Sequence, residues 1–146
     1  MPFTTGQKQA VLDYLYGKTA LTPPDNLRIG LSSSTPAADG SNFTEPVDGV
    51  PAFKDGYTRK EVANNKTTWR NATAAEPSVL ANDIVIEFAA CSGNDWPEVT
   101  HWGIFVDNDP ATDPIDWAAL TTAKTIKVGD VAKFAAGELK SQLQNP

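Results

Sequence analysis

The chain has few of the residues on which catalytic and metal sites usually depend. Its 146 residues include one cysteine and one histidine, which excludes an intramolecular disulfide and any site built on two histidines. His101, between Thr100 and Trp102 in an apolar stretch, is more typical of a hydrogen-bonded packing residue than of a catalytic one. Cys91 is best interpreted as a small buried hydrophobic residue. We therefore expect no enzymatic activity, no catalytic residue, no cofactor and no bound metal.

Positive charge and long apolar runs are also scarce. The 12 Lys and Arg residues are outnumbered by 18 Asp and Glu, which gives a formal net charge of −6. Nucleic-acid binding needs Lys and Arg to neutralise phosphates, so we expect no nucleic-acid partner. The sequence has no run of 18 apolar residues, and its first residues lack the basic and apolar segments of a secretion signal. These absences predict a protein made inside a cell, without a membrane partner.

One acidic turn has a partial likeness to a calcium-binding loop. Asp107, Asp109 and Asp113 are spaced like its first ligands. However, Thr112 stands where such a loop needs glycine, and Ala118 where it needs its closing glutamate. We interpret the three carboxylates as solvated turn residues.

The hydrophobic pattern predicts one helix followed by many short strands. Residues 4–17 form the helix, with Thr4 as N-cap, Gln7 three residues later and Gly17 as C-terminal cap. Apolar alternation and turn residues then predict strands at 27–31, 57–62, 66–73, 83–88, 99–106, 117–120, 125–128 and 131–134, with residues 139–143 forming a strand or a frayed tail. Many short strands separated by turns are typical of a β-sandwich or jelly roll.

These elements define the expected domain. We predict an all-β protein with a single domain over residues 1–146, in which residues 1–17 form an N-terminal helical arm and residues 27–143 the sandwich. Residues 32–56 show little periodicity and several prolines and glycines, so they are predicted to form a long surface loop.

The strand at 99–106 is unusual because both of its faces are apolar. Trp102 and Ile104 share one face and Phe105 lies on the other. We expect one face to pack on the core and the other to be covered by a second subunit or by the helix. These three residues, together with Trp117 of the next strand, are our candidates for the core or a subunit interface.

The four tryptophans leave a different class of function open. Trp69, Trp96, Trp102 and Trp117 could stack on sugar rings, although in a β-sandwich they more often form core and interface. A carbohydrate-binding module therefore stands as one alternative.

Seven short motifs, taken together, resemble a family of small virion structural proteins of tailed bacteriophages. They occur in order at residues 31–36 (LSSSTP), 39–40 (DG), 44–46 (TEP), 56–59 (GYTR), 99–105 (VTHWGIF), 118–125 (AALTTAKT) and 134–137 (FAAG). The resemblance implies a virion protein made in the cytoplasm of an infected bacterium. Residues 50–55 look like an insertion before the GYTR motif, in a loop where contact specificity is expected.

Within that family the first expectation is a capsid decoration protein. Such a protein binds the outer head surface and bridges subunits of the major capsid protein, so it stabilises the assembled shell by mass action. We expect it to self-associate, preferably as a homotrimer, with a homodimer as the nearest variant. A tail fibre or baseplate protein is the alternative. The candidate capsid contacts are apolar residues of the N-terminal segment and the long loop, namely Phe3, Val11, Tyr14, Leu15, Phe43 and Phe53.

Overall fold

The computed structural model describes residues 4–48, 52–70 and 79–142, which form one helix and eleven short strands. The predicted all-β class is confirmed. In chain order the elements are α1 (Thr5–Leu15), β1 (Asn26–Ser32), β2 (Val47–Asp48), β3 (Ala52–Phe53), β4 (Lys60–Ala63), β5 (Trp69–Arg70), β6 (Val79–Asn82), β7 (Ile86–Ala90), β8 (Val99–Phe105), β9 (Asp116–Lys124), β10 (Val131–Phe134) and β11 (Lys140–Gln142).

The largest sheet has four antiparallel strands in the order β4-β1-β8-β9. At its centre, Ile29 of β1 is opposite Ile104 of β8, and Gly30 is opposite Gly103. Three smaller antiparallel sheets have the orders β10-β7, β11-β6-β5 and β2-β3. The hairpin β2-β3 lies within the segment predicted to be an irregular loop.

One hydrophobic core joins the large sheet to the smaller ones. Leu27, Ile29 and Leu31 alternate along β1 and are buried on one face, as their period-two spacing predicts. They share a core cluster with Val62, Trp102 and Ile104 of the same sheet and with side chains from the smaller sheets, including Trp69, Ile86, Phe88, Ala132 and Phe134. The architecture is therefore sandwich-like.

Several strand predictions are wrong in detail. The strands expected at 57–62, 66–73 and 83–88 begin at Lys60, Trp69 and Ile86, and the strand expected at 117–120 extends over Asp116–Lys124. Residues 125–128 do not form a strand, although their pattern alternates. There the backbone N–H groups of Lys127 and Val128 donate to the carboxylates of Asp130 and Asp95. Side-chain acceptors thus take the place of a neighbouring strand.

The helix α1 ends as predicted but begins differently. Gly17 has a φ of 69°, and the N–H groups of Gly17 and Lys18 donate to the carbonyls of Tyr14 and Asp13 at 3.0 and 2.8 Å. This is a Schellman motif. Thr4 occupies the N-cap position, but its side chain makes no capping bond. Its N–H and hydroxyl both donate to the carbonyl of Ile115, at 3.1 and 3.2 Å, so the predicted N-cap position is confirmed but its side chain does not cap the helix.

The segment containing α1 is fastened at both ends. Thr4 is buried and bonded to Ile115 before the helix starts. After the helix, the carbonyls of Pro24 and Asp25 accept hydrogen bonds from Asn64, at 2.9 and 2.8 Å, just before β1. Residues 5–25, called the α1 segment below, therefore leave the sheet and return to it, unlike a free N-terminal arm.

Candidate functional site

The α1 segment exposes a concentration of apolar side chains. No residue of α1 is buried, and the side chains of Leu15 and Tyr16 are 68% and 77% exposed. Leu12, Tyr14 and Leu21 are exposed as well. Single exposed apolar residues are ordinary, but a group of them on one projecting segment is typical of an interaction surface. The α1 segment is therefore the candidate contact surface of this protein.

A buried ion pair fixes the loop that follows β1. Arg59 and Glu45 have side chains that are 0% and 4% exposed. The Nε and Nη2 atoms of Arg59 donate to Oε1 and Oε2 of Glu45 at 3.1 and 2.8 Å, a bidentate arrangement. The hydroxyl of Tyr57 donates to Oε1 of Glu45 at 2.5 Å and accepts from the N–H of Leu31 at 2.9 Å. The loop, the GYTR motif and β1 are thereby bound together.

Arg59 uses its remaining donors on a second loop. Its Nη1 atom donates to the carbonyl of Asp107 at 3.2 Å and to the hydroxyl of Thr112 at 2.9 Å, and Nη2 donates to the carbonyl of Thr112 at 3.1 Å. All five guanidinium N–H groups can thus be paired, which a buried arginine requires. The arginine holds together two loops that are far apart in the sequence.

The acidic turn at residues 107–113 is organised from within. Oδ1 of Asp107 accepts from the hydroxyl of Thr112 at 2.7 Å and from the N–H of Asp109 at 3.0 Å. The hydrogen bond from Thr112 is the main cause that lowers the pKa of Asp107. Within residues 4–48, 52–70 and 79–142, no group of three His, Cys, Asp or Glu side chains could hold a metal ion. The carboxylates of Asp107 and Asp109 serve as hydrogen-bond acceptors within the turn, the latter for the N–H of Ala111 at 2.9 Å.

The second face of β8 is covered by the chain itself. Phe105 is 1% exposed and meets the ring of Phe43 edge-on, with 5.1 Å between centroids. The ring of Phe43 also lies against the backbone of Gly30 and Gly103, where a Cβ atom would come within 3.3 and 2.7 Å of it. The expectation that a second subunit or the helix covers this face is wrong, because the loop after β1 does so.

The sequence-predicted candidates fall into separate groups. Trp102, Ile104 and Phe105 are buried within the chain, and Trp117 is half-buried, with its indole N–H donating to the carbonyl of Ala37 at 3.1 Å. The first three take core positions, and Trp117 lies at the edge of the core. Five of the six contact candidates lie in the described residues, three on the α1 segment and two at half-buried positions elsewhere.

Of the contact candidates, Val11, Tyr14 and Leu15 lie together on the α1 segment. Phe43 packs on Phe105, and the ring of Phe53 lies edge-on to Tyr57 at 5.2 Å. Phe3 lies outside the described residues. A contact role stays a prediction for all of them, and only the three helix residues occupy the candidate surface.

Sequence reasoning missed Glu45, Tyr57 and Arg59 as a unit. Each belongs to a motif that carries the family resemblance, TEP or GYTR. The motifs were the signal available in the sequence. The contacts themselves could be seen only in the structure, because Arg59 is 14 positions from Glu45 and 53 positions from Thr112, its partner in the second loop.

Comparisons with known proteins point to a phage family. A family model described as "Podophage GP4 fiber I protein gp80" matches residues 2–142. This range includes all seven motifs and nearly the whole chain. No curated protein matches the chain. In the described part of the structure, no helix is both long and apolar enough to span a membrane.

Proposed function

The chain belongs to the podophage GP4 fiber I protein gp80 family, and from this premise we propose that it is a non-enzymatic structural subunit of a phage tail fibre. Membership makes it a phage virion structural protein of the fibre type. The match over residues 2–142 is the observation that carries the proposal. It favours the tail fibre alternative over the capsid decoration role that the sequence analysis placed first.

The α1 segment supports an assembly role. A fibre subunit must contact other virion subunits through a persistent surface, and exposed Leu12, Leu15 and Tyr16 supply apolar area for it. Val11 and Leu15 are one helical turn apart and so lie on the same side of α1. We propose that this surface binds a second copy of the chain, preferably in a homotrimer.

The interior supports the same role by making the subunit rigid. Arg59 and its partners hold the loops at residues 43–45 and 107–112 in one arrangement. A subunit that is ordered before it binds loses less conformational entropy on assembly. The hydrogen bonds of Thr4 and of Asn64 hold the two ends of the α1 segment in place and so reduce the entropy lost on assembly further.

The location is tested by immunogold electron microscopy on intact virions of the source phage, with antibody to this protein. We expect label on the fibres of the tail. Dense label over the head surface would instead establish a decoration protein that binds the major capsid protein. Virions without label would remove both virion roles.

The assembly surface is tested with matched variants on purified protein. We expect wild type to be oligomeric in size-exclusion chromatography with light scattering, and Leu15→Glu to be monomeric with an unchanged circular dichroism spectrum at room temperature. Val128→Glu is the control, because Val128 is an exposed apolar residue in a turn far along the chain from α1, 53% accessible. A monomeric wild type would contradict self-association, and an oligomeric Leu15→Glu would move the interface away from α1.

A further inference from the structure

An apolar cleft opens at the base of the α1 segment. Its volume is about 320 Å³, and it lies between β1, β6, β8 and the residue just before β9. Its wall is largely apolar, with the aliphatic side chains of Leu27, Leu80, Ile104 and Ile115. Leu80 is the most accessible of these, at 40% exposure, and Ile115 is half-buried. The cleft therefore offers an apolar surface that a side chain from outside can reach.

Both ends of the α1 segment are attached at this cleft. Ile115, whose carbonyl holds Thr4 before the helix, lines the cleft. Asn64, whose side chain donates to the carbonyl of Pro24 at 2.9 Å after the helix, lines it too. Residues 5–25 are all described by the structure, and none of them contributes to the wall. The helix therefore projects beside the cleft without filling it.

The α1 segment carries an apolar stripe suited to such a cleft. Leu12, Leu15 and Tyr16 are 54%, 68% and 77% exposed. Leu12 is three residues from Leu15 and four from Tyr16, so the three side chains share one side of the helix. No residue of α1 is buried by the described part of the chain. Each copy therefore presents an uncovered apolar stripe next to an uncovered apolar cleft.

The charges beside the two surfaces are complementary. Lys66 is exposed at the cleft, and Asp13 lies on α1 one helical turn before Tyr16. Neither side chain has an ion-pair partner among the described residues. A lysine beside the cleft and an aspartate beside the stripe favour one orientation of a helix that enters the cleft from another copy.

We propose that the cleft of one copy receives Leu12, Leu15 and Tyr16 from the α1 segment of a second copy. An amphipathic helix laid in an apolar groove is a recurring mode of recognition. Because the helix and the cleft are different surfaces, the contact is head-to-tail and can close into a ring. This inference rests on the self-association proposed above and names the surface that α1 meets, and a closed ring of three copies agrees with the proposed homotrimer.

The test uses Leu15→Glu and Leu80→Glu in the full chain, with masses measured by size-exclusion chromatography and light scattering. Leu15→Glu disrupts the stripe and Leu80→Glu the cleft, so we expect each variant alone to be monomeric. Mixed in equal amounts, they should form a dimer and nothing larger, because only one intact helix and one intact cleft can meet. The matched control is Val131→Glu, which should assemble as wild type does, since Val131 is a strand residue 41% exposed outside the cleft.

A second cleft variant guards against a folding defect in Leu80→Glu. Lys66→Glu changes an exposed side chain and should weaken self-association at least tenfold. Adding Asp13→Lys to the same chain restores opposite charges across the contact, so the double variant should assemble like wild type.

The possible failures are distinguishable. If Leu80→Glu and Lys66→Glu both assembled as wild type does, the cleft would not be the partner of α1, and the proposal would be overturned while α1 remained an interface. A mixture of Leu15→Glu and Leu80→Glu that stayed monomeric, with both chains folded by circular dichroism, would also overturn it, as expected if α1 docks in the cleft of its own copy. A monomeric wild type would instead refute the self-association itself.

Discussion

The guanidinium carbon of Arg59 lies 3.4 Å from the centre of the Phe105 ring. At this distance the cation rests directly on the aromatic face, in a site from which water is excluded. Phe105 therefore packs against one face of the guanidinium group of Arg59. Glu45 and the carbonyls of Asp107 and Thr112 accept hydrogen bonds from the edges of that group. The apolar second face of β8 thus supports a charged group inside the subunit.

Removing the charge of Arg59 should strongly destabilise the fold. In Arg59→Met, Glu45 is left buried without its partner, and we expect a loss of about 3–5 kcal/mol in the free energy of unfolding. Urea denaturation measures it. The control is Arg28→Met, because the pair between Arg28 and Glu61 is 28% and 52% exposed and should contribute at most about 1 kcal/mol.

The result has a further check in a double variant. Replacing both partners, in Arg59→Met with Glu45→Leu, should cost less than the sum of the two single changes, because no unpaired charge remains. If Arg59→Met and Arg28→Met lowered the free energy of unfolding equally, the buried ion pair would stabilise the fold no more than the exposed one.

Tyr57→Phe should cost about 1–3 kcal/mol, since it removes one hydroxyl that serves two buried groups. The N–H of Leu31 would lose its acceptor, and Glu45 would lose one of its donors. The ring contacts with Phe53 and Trp96, at 5.2 Å each, do not need the hydroxyl. Thermal unfolding followed by circular dichroism measures the loss, and an unchanged midpoint would contradict it.

A methyl group at Gly103 should be costly, because the ring of Phe43 occupies its place. A Cβ atom there would lie 2.7 Å from Cε2 of Phe43 and 3.0 Å from Cβ of Pro114. We expect Gly103→Ala to lose about 1–3 kcal/mol by overpacking. Gly6→Ala is the matched control, with no atom within 4 Å of the new Cβ and a helical site that alanine favours by up to about 1 kcal/mol. Chemical denaturation measures the free energy of unfolding of both variants. An equal loss of stability in Gly6→Ala and Gly103→Ala would contradict the packing argument.

The sequence could predict what is periodic and local. The alternation of Leu27, Ile29 and Leu31 located β1, and Gly17 marked the end of α1, because each depends on neighbouring residues only. Contacts between segments that are distant in the sequence could not be predicted. The contact of Phe43 with Phe105, for example, joins residues 62 positions apart. Residues 125–128 alternate as a strand does, but the N–H groups of Lys127 and Val128 donate to the carboxylates of Asp130 and Asp95, which periodicity does not reveal.

The same limit applies to the candidate site. The helix residues Tyr14 and Leu15 could be grouped from the sequence because they are neighbours in one predicted helix. The buried pair of Arg59 and Glu45 required the fold, because its members are 14 positions apart. Asp116 likewise gave no signal in the sequence, because its burial comes from packing against β11, where Ser141 is its partner.

Asp116→Asn should stabilise the protein above pH 6 and have little effect in acid. Burial raises the pKa of Asp116 from 3.8 to about 6, so the folded protein prefers the neutral carboxyl. Below pH 3.8 folded and unfolded chains are both protonated, and between the two values the folded state alone keeps the proton, so wild-type stability falls as the pH rises. The difference corresponds to about 3 kcal/mol.

We therefore expect the stability gain of Asp116→Asn over wild type to be near zero at pH 3.5 and to approach about 3 kcal/mol at pH 8. Urea denaturation across this range measures it. Asp39→Asn supplies a control of opposite sign, because hydrogen bonds from Ser41 lower the pKa of Asp39, and that stabilisation is present at neutral pH and lost in acid. A difference between Asp116→Asn and wild type that did not vary with pH would mean that Asp116 is not held in a desolvated site.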